Sequence, residues 1–199
     1  MKHCTKVLLI VGCSFLMSGC SMFQSTQQQI ASQEKREQRE KEKSEKERQE
    51  LIQSKKVVGS FSKHEDYSSE DSTYVIDTVI TVKATKGKIT KIEYKQTSSL
   101  MDLLLREKEI REHYVNDIKK NGYFSKNKEG ITETYDMDID KKTEKATLTI
   151  DVNKAKISDV KEINGDMFKL EKYDSWDDAT YDDLYQSYVQ ERTVKESFK

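Results

Sequence analysis

The sequence predicts an α+β fold. It calls for an antiparallel sheet of about five strands in two or more hairpins, covered on one face by a central helix, with a C-terminal helix. Three observations carry this prediction. Between Val57 and Val152 several runs alternate apolar and polar residues, so each strand has one wet face. Between Leu100 and Ile118 the apolar spacing changes to three and four. Turn chemistry at Thr85–Lys88 and Asp140–Glu144 separates paired runs. Runs of strands interrupted by single helices indicate α+β.

The elements follow in order. Val57-Val58-Gly59-Ser60-Phe61 begins a strand, and Glu65 to Ser72 is a polar loop. Thr73 to Ala84 is the clearest strand. It puts Ile76, Thr78, Ile80 and Val82 on one face and Val75, Asp77, Val79 and Thr81 on the other. A Gly-containing turn at Gly87 returns the chain as Ile89 to Thr97, with Ile92 and Tyr94 on its apolar side. Ser98 and Ser99 precede the central helix, whose apolar positions include Leu103, Leu104, Ile110, Tyr114, Val115 and Ile118. Asn121-Gly122 stops it. Ile131, Tyr135, Met137 and Ile139, then Ala146, Leu148, Ile150 and Val152, form a second hairpin. Ala155 to Ile163 is a short helix or turn, and Asp174 to Thr180 a loop around Trp176. Tyr181, Leu184, Tyr185, Tyr188 and Val189 build a last amphipathic helix extending toward Phe198. Ile80, Val82, Leu148, Ile150, Tyr114 and Ile118 are expected to be buried between the sheet and the central helix.

The chain divides into residues 1–19, 20–56 and 57–199. At the start, Lys2 and Lys6 precede an uncharged apolar run, Val7 to Met17, and then Ser18-Gly19-Cys20. This is the n-region, h-region and small-residue site of a secretory signal, and the run is too short to span a bilayer. Leu16-Met17-Ser18-Gly19-Cys20 resembles the lipobox of bacterial lipoprotein precursors, with Met17 where Leu is commoner. The resemblance implies cleavage before Cys20 and lipidation of that residue. Cys4 and Cys13 would leave with the peptide, so Cys20 would have no disulfide partner. A plain secretory signal is the alternative. Two or three acyl chains, at ~0.8 kcal/mol per buried methylene, give stable anchoring.

Ser21 to Gln33 is Ser/Gln-rich and reads as a flexible tether. From Glu34 to Glu50 nearly every residue is Glu, Lys, Arg or Gln. Opposite charges at helical spacing, such as Glu37 with Lys41 and Glu42 with Lys46, add ~0.2–0.5 kcal/mol per pair. There is no a/d apolar stripe, so the segment is a solitary charged helix serving as a spacer, or a disordered leader.

The 199 residues carry a net charge of −1 although 36% are charged. That balance gives no electrostatic preference for nucleic acid. The absence of Pro and the abundance of Lys, Asp, Glu and Ile suit a Gram-positive host of low G+C content.

From about Val57 to its end the chain resembles the YehR-like family of bacterial lipoproteins. Thr78-Val79-Ile80-Thr81-Val82, Lys91-Ile92-Glu93-Tyr94, Gly130-Ile131-Thr132, Leu148-Thr149-Ile150-Asp151-Val152 and Ser197-Phe198-Lys199 carry the resemblance. Ser197 stands where the family usually has Gly. The resemblance implies one α+β domain at the outer face of the cell membrane, and supplies no catalytic site and no cofactor.

Chemistry-bearing motifs are few. His64 and His113 have no second His or Cys at ligand spacing, which argues against zinc. The chain contains no phosphate-binding Gly loop and no Gly-x-Ser-x-Gly elbow. Asp136, Asp138 and Asp140 alternate on a wet strand face without an EF-hand Gly, so no metal is expected. Asp174, Asp177, Asp178, Asp182 and Asp183 surround the start of the last helix, where carboxylates favour its dipole. Tyr173, Trp176 and Tyr181 form a candidate ligand groove for an envelope glycan or peptide, with Trp176 the most exposed of them. The alternative is that these aromatics pack the last helix onto the sheet. The functional expectation is a non-enzymatic binding or scaffold lipoprotein, with an envelope-polymer hydrolase as the alternative.

Overall fold

The computed structural model describes residues 30–67, 74–124 and 128–199, with the backbone alone for 164–166. The leader, the lipidation site Cys20 and most of the predicted tether lie outside the described residues. The chain divides into two compact units between Arg48 and Gln49. In the first, the charged segment is helical, part of a helix α1 that runs over residues 30–54. Lys43 pairs with Glu47 at 3.8 Å, and Arg48 with Glu45 at 3.0 Å. Such pairs, added to good helix formers, support a helix with almost no buried face. The final turn of α1 belongs to the second unit, where Ile52 has no exposed surface.

The second unit is built on an antiparallel sheet in the order β4-β5-β3-β2-β1-β6. The strands are β1 (Lys56–Asp66), β2 (Val75–Thr85), β3 (Lys88–Ser99), β4 (Ile131–Asp138), β5 (Thr143–Asp151) and β6 (Thr193–Phe198). The β2–β3 turn is two residues, Lys86 and Gly87, with φ of 50° and 77°. Two successive positive φ values match the right-handed twist of the flanking strands, which is why the turn carries Gly. The helices are α2 (Asp102–Arg106), α3 (Lys108–Asn121), α4 (Ile157–Phe168) and α5 (Tyr181–Tyr188).

Register places Phe61, Ile80, Tyr94 and Leu148 in one row, and Val82, Ile92, Ile150 and Ile131 in the next. Alternation then puts every large apolar strand residue of these rows on one face. Over this region lie α4, α5 and the 169–180 loop, which bring Val160, Phe168, Leu170, Leu184 and Tyr188 into the core with no exposed surface. The edge of Phe168 meets the Tyr94 ring at 6.1 Å, and Tyr188 lies 5.0 Å from Phe61. Tyr181 crosses β1 at Gly59, where a Cβ would come within 2.1 Å of its hydroxyl. Gly59 is therefore needed for close approach rather than for an unusual φ. The opposite face is polar and bears Ser60, Thr81, Thr132, Thr134, Thr147 and Thr149.

Four expectations are corrected. The central helix is two helices. Glu107 is extended (φ −102°, ψ 99°) and separates α2 from α3. The run Arg106-Glu107-Lys108-Glu109 offers nothing to bury, and Arg111 Nη1 donates to the Leu104 and Leu105 carbonyls that the break leaves open, at 2.7 and 3.2 Å. Second, α3 covers only the far end of the sheet face, while α4 and α5 cover the apolar core. Ile80, Val82, Leu148 and Ile150 have no exposed surface and Ile118 is buried, whereas Tyr114 is half-buried. Third, the last helix stops at Tyr188. Fourth, the residues expected to extend that helix form β6, a sixth strand paired with β1. Short edge strands with alternate polar side chains carry a weak sequence signal.

Candidate functional site

Toward the start of β2 and the end of β3 the covered face changes from apolar to polar. Ser98, Gln96, Glu144 and Ala146 continue the rows, with Tyr135 and Met137 beside them on β4. Here α3 lies over the sheet, and its attachment is largely polar. The Glu144 carboxylate, 6% exposed, accepts hydrogen bonds from three phenols. Tyr135 donates to Oε2 at 2.9 Å, Tyr114 to the same oxygen at 3.1 Å, and Tyr123 to Oε1 at 3.3 Å. Tyr123 stacks on Tyr135 with ring centres 5.3 Å apart. The network extends through Gln96, whose Nε2 donates to the Tyr123 and Ser98 hydroxyls and whose Oε1 accepts from Tyr94.

These tyrosines are shifted. Burial, followed by the Glu144 charge, raises Tyr114 and Tyr123 above the ordinary phenol range. Burial and then the hydrogen bond to Glu144 do the same for Tyr135. Burial raises Tyr94 to about 12. The phenols are thus held protonated, which makes them donors to the carboxylate.

Beside this hub, a cleft of about 1080 Å³ runs between α3 and edge strand β4. Val115, Ile118, Met137 and Ile139 give it an apolar lining. Lys119, Lys120 and Gly122 border it at the end of α3. Glu133, also in the lining, closes the α3–β4 connection by accepting from the Tyr123 and Phe124 backbone amides, the latter at 3.0 Å. Met101 and Leu103, at the start of α2, and Ile110 on α3 are exposed.

The residues singled out by sequence lie elsewhere. Tyr181 has no exposed surface, and its hydroxyl donates to Glu196 at 2.7 Å. Tyr173 is buried, and Trp176 is half-buried with its indole N–H donating to the Ala155 carbonyl at 2.7 Å. All three pack against the core. The aromatic faces of Tyr173 and Tyr181 are therefore unavailable to a ligand, and the packing alternative accounts for their positions.

The acidic residues have local partners. Asp183 completes a capping box with Thr180 at the start of α5. Asp177 pairs with Lys88, and Asp138 with Lys141. His113 is exposed on α3. His64 sits opposite Asp77 on the polar sheet face, with Nδ1 2.7 Å from the carboxylate. That hydrogen bond and then the Asp77 charge raise its pKa. Among the described residues no cluster of three or more His, Cys, Asp or Glu is placed to hold a metal. No described helix is long and apolar enough to cross a membrane.

Sequence reasoning missed the Glu144 hub. A signal existed, since Glu144 falls in phase with Ala146, Leu148 and Ile150 on the core face, but the residue was read as part of the turn. No family model, curated protein or solved structure matches the chain.

Proposed function

We propose that this protein is a bacterial lipoprotein of the YehR-like type. Cys20 anchors it by lipid to the outer face of the cell membrane of a Gram-positive host. The charged helix serves as a spacer, and the folded unit acts as a non-enzymatic binding module. The observation that carries the binding reading is the cleft between α3 and β4, which is large, lined by both apolar and charged side chains and open beside an edge strand. The hydrogen-bonded carboxylates, Glu133 in the lining and Glu144 in the adjoining hub, favour binding over hydrolysis. Glu144 is committed to three phenols and Glu133 to two backbone amides, so their oxygens hold structure rather than activate water.

Two measurements test the proposal. Metabolic labelling with an alkyne fatty acid is expected to mark the wild type and not Cys20→Ala, and equal labelling would refute the anchor. Hydrogen exchange is expected to slow over 111–122 and 131–139 when the protein sits in its own membranes rather than in detergent. Identical exchange in both settings would count against the cleft as the binding site.

A further inference from the structure

We propose that the cleft takes an extended, carboxylate-bearing peptide, which adds to the free edge of β4 and pairs with Lys119 and Lys120. This rests on the reading of the cleft as the binding site and names its ligand class.

The first argument is the edge itself. Apart from a single bridge between Lys128 and Ile131, β4 pairs among the described residues only with β5, and its register over Ile131 to Asp138 shows no bulge. An edge of this kind presents unpaired N–H and C=O groups that only another backbone satisfies in sequence. A glycan or lipid offers no such ladder. Natural edges are usually blunted by charge, yet the charges of β4 are spent locally. Glu133 accepts from the backbone amides of Tyr123 and Phe124, and Asp138 pairs with Lys141. Asp136 stands opposite Lys145 in the register and also borders the cleft.

The second argument is side-chain chemistry. A strand laid on β4 directs alternate residues toward the α3 side. There it meets Val115, Ile118, Met137 and Ile139, which suit apolar side chains, and the two lysines at the end of α3. Neither Lys119 nor Lys120 forms an ion pair or side-chain hydrogen bond among the described residues. The other charged α3 residues at the cleft are already engaged. Arg111 caps α2, and Glu112 pairs with Lys108 at 3.6 Å. The uncommitted charge that α3 brings to the cleft is thus cationic and calls for an anionic partner. The volume, about 1080 Å³, is at the upper end for small-molecule pockets and suits several residues of peptide.

The test uses the full chain in detergent and a fluorescent decapeptide of alternating Val and Thr ending in two Glu. Binding is expected below about 1 mM by anisotropy, with hydrogen-exchange protection over 131–138. The same peptide N-methylated at alternate amides should lose binding and protection. The double variant Lys119→Glu/Lys120→Glu should weaken binding by about tenfold or more. Equal binding of the N-methylated peptide, or binding with no protection over 131–138, would overturn the strand-addition mode. Unchanged affinity in the lysine variant would overturn the pairing. If no peptide binds but a soluble peptidoglycan fragment protects 111–122, the peptide proposal fails and the cleft stands. If neither probe protects the cleft, both fail.

Discussion

Replacing Glu144 with Gln tests whether a buried carboxylate holds α3 to the sheet. Its three phenol bonds, at 2.9, 3.1 and 3.3 Å, reach a group only 6% exposed. A hydrogen bond to a charged acceptor contributes about 1.5–3 kcal/mol, and a neutral one about 1. Gln keeps one acceptor oxygen. Its cheaper orientation leaves that oxygen to Tyr135 and Tyr114 and turns the amide nitrogen toward Tyr123, the longest contact. Tyr123 already accepts from Gln96 at 3.1 Å, so it gains little in return. Two charge-assisted bonds become neutral and one weak bond is lost. The lower cost of burying an amide offsets part of this. The net expectation is a loss of about 2 kcal/mol. For a unit of about 150 residues this lowers Tm by roughly 4–8 °C. Urea unfolding followed by circular dichroism measures it. A cycle with Tyr135→Phe should give a coupling of about 1–2 kcal/mol, whereas Tyr67→Phe, at a hydroxyl bonded to Glu65, should be additive. A loss under about 0.5 kcal/mol, or no coupling to Tyr135, would refute the hub as the fastening of α3.

Three further outcomes follow from the packing. Phenols raised by burial stabilise the fold below the unfolded pKa of about 10, and that stability is lost as pH rises toward their folded values. Unfolding free energy should therefore fall as pH rises between about 9 and 12, less steeply in Tyr135→Phe, and a flat profile would contradict the burial of these rings. Ile150→Ala should cost about 2–5 kcal/mol, and Trp176→Ala about 2–4 because its ring packs on the core and its N–H serves Ala155. Trp176→Phe isolates the indole bond at about 1 kcal/mol, and a Trp176→Ala loss below that would restore it as a ligand-facing residue. His64 should titrate above the ordinary histidine range, its stabilising effect present at acid pH and lost as pH rises through the folded pKa. NMR of Asp77→Asn should return the midpoint to normal, and an unmoved midpoint would exclude the pair as the cause.

The sequence alone determined the sheet's inward face. Alternation is a local property, and Ile80, Val82, Leu148 and Ile150 could only share a side once their strands paired in register. It also determined the Gly87 hairpin and the acidic start of α5, because turn and cap chemistry act within a few residues. The charged helix was legible because its support is internal.

What lies between elements was decided by tertiary structure. The continuous apolar spacing from Leu100 to Ile118 did not reveal the break at Glu107, because Arg111 makes it affordable only when the two helices fold back together. Thr193 to Phe198 became a strand because β1 had an open edge to receive it. Trp176 and Tyr181 looked like a ligand platform because Trp176 sits in a polar loop without periodicity and Tyr181 opens the helix beside it. Their burial depended on Ala155, Gly59 and Glu196, distant positions that the fold alone brings within contact. The cleft was invisible for the same reason. It is a space bounded by a helix and a strand edge, and neither the α3 pattern nor the β4 pattern encodes their separation.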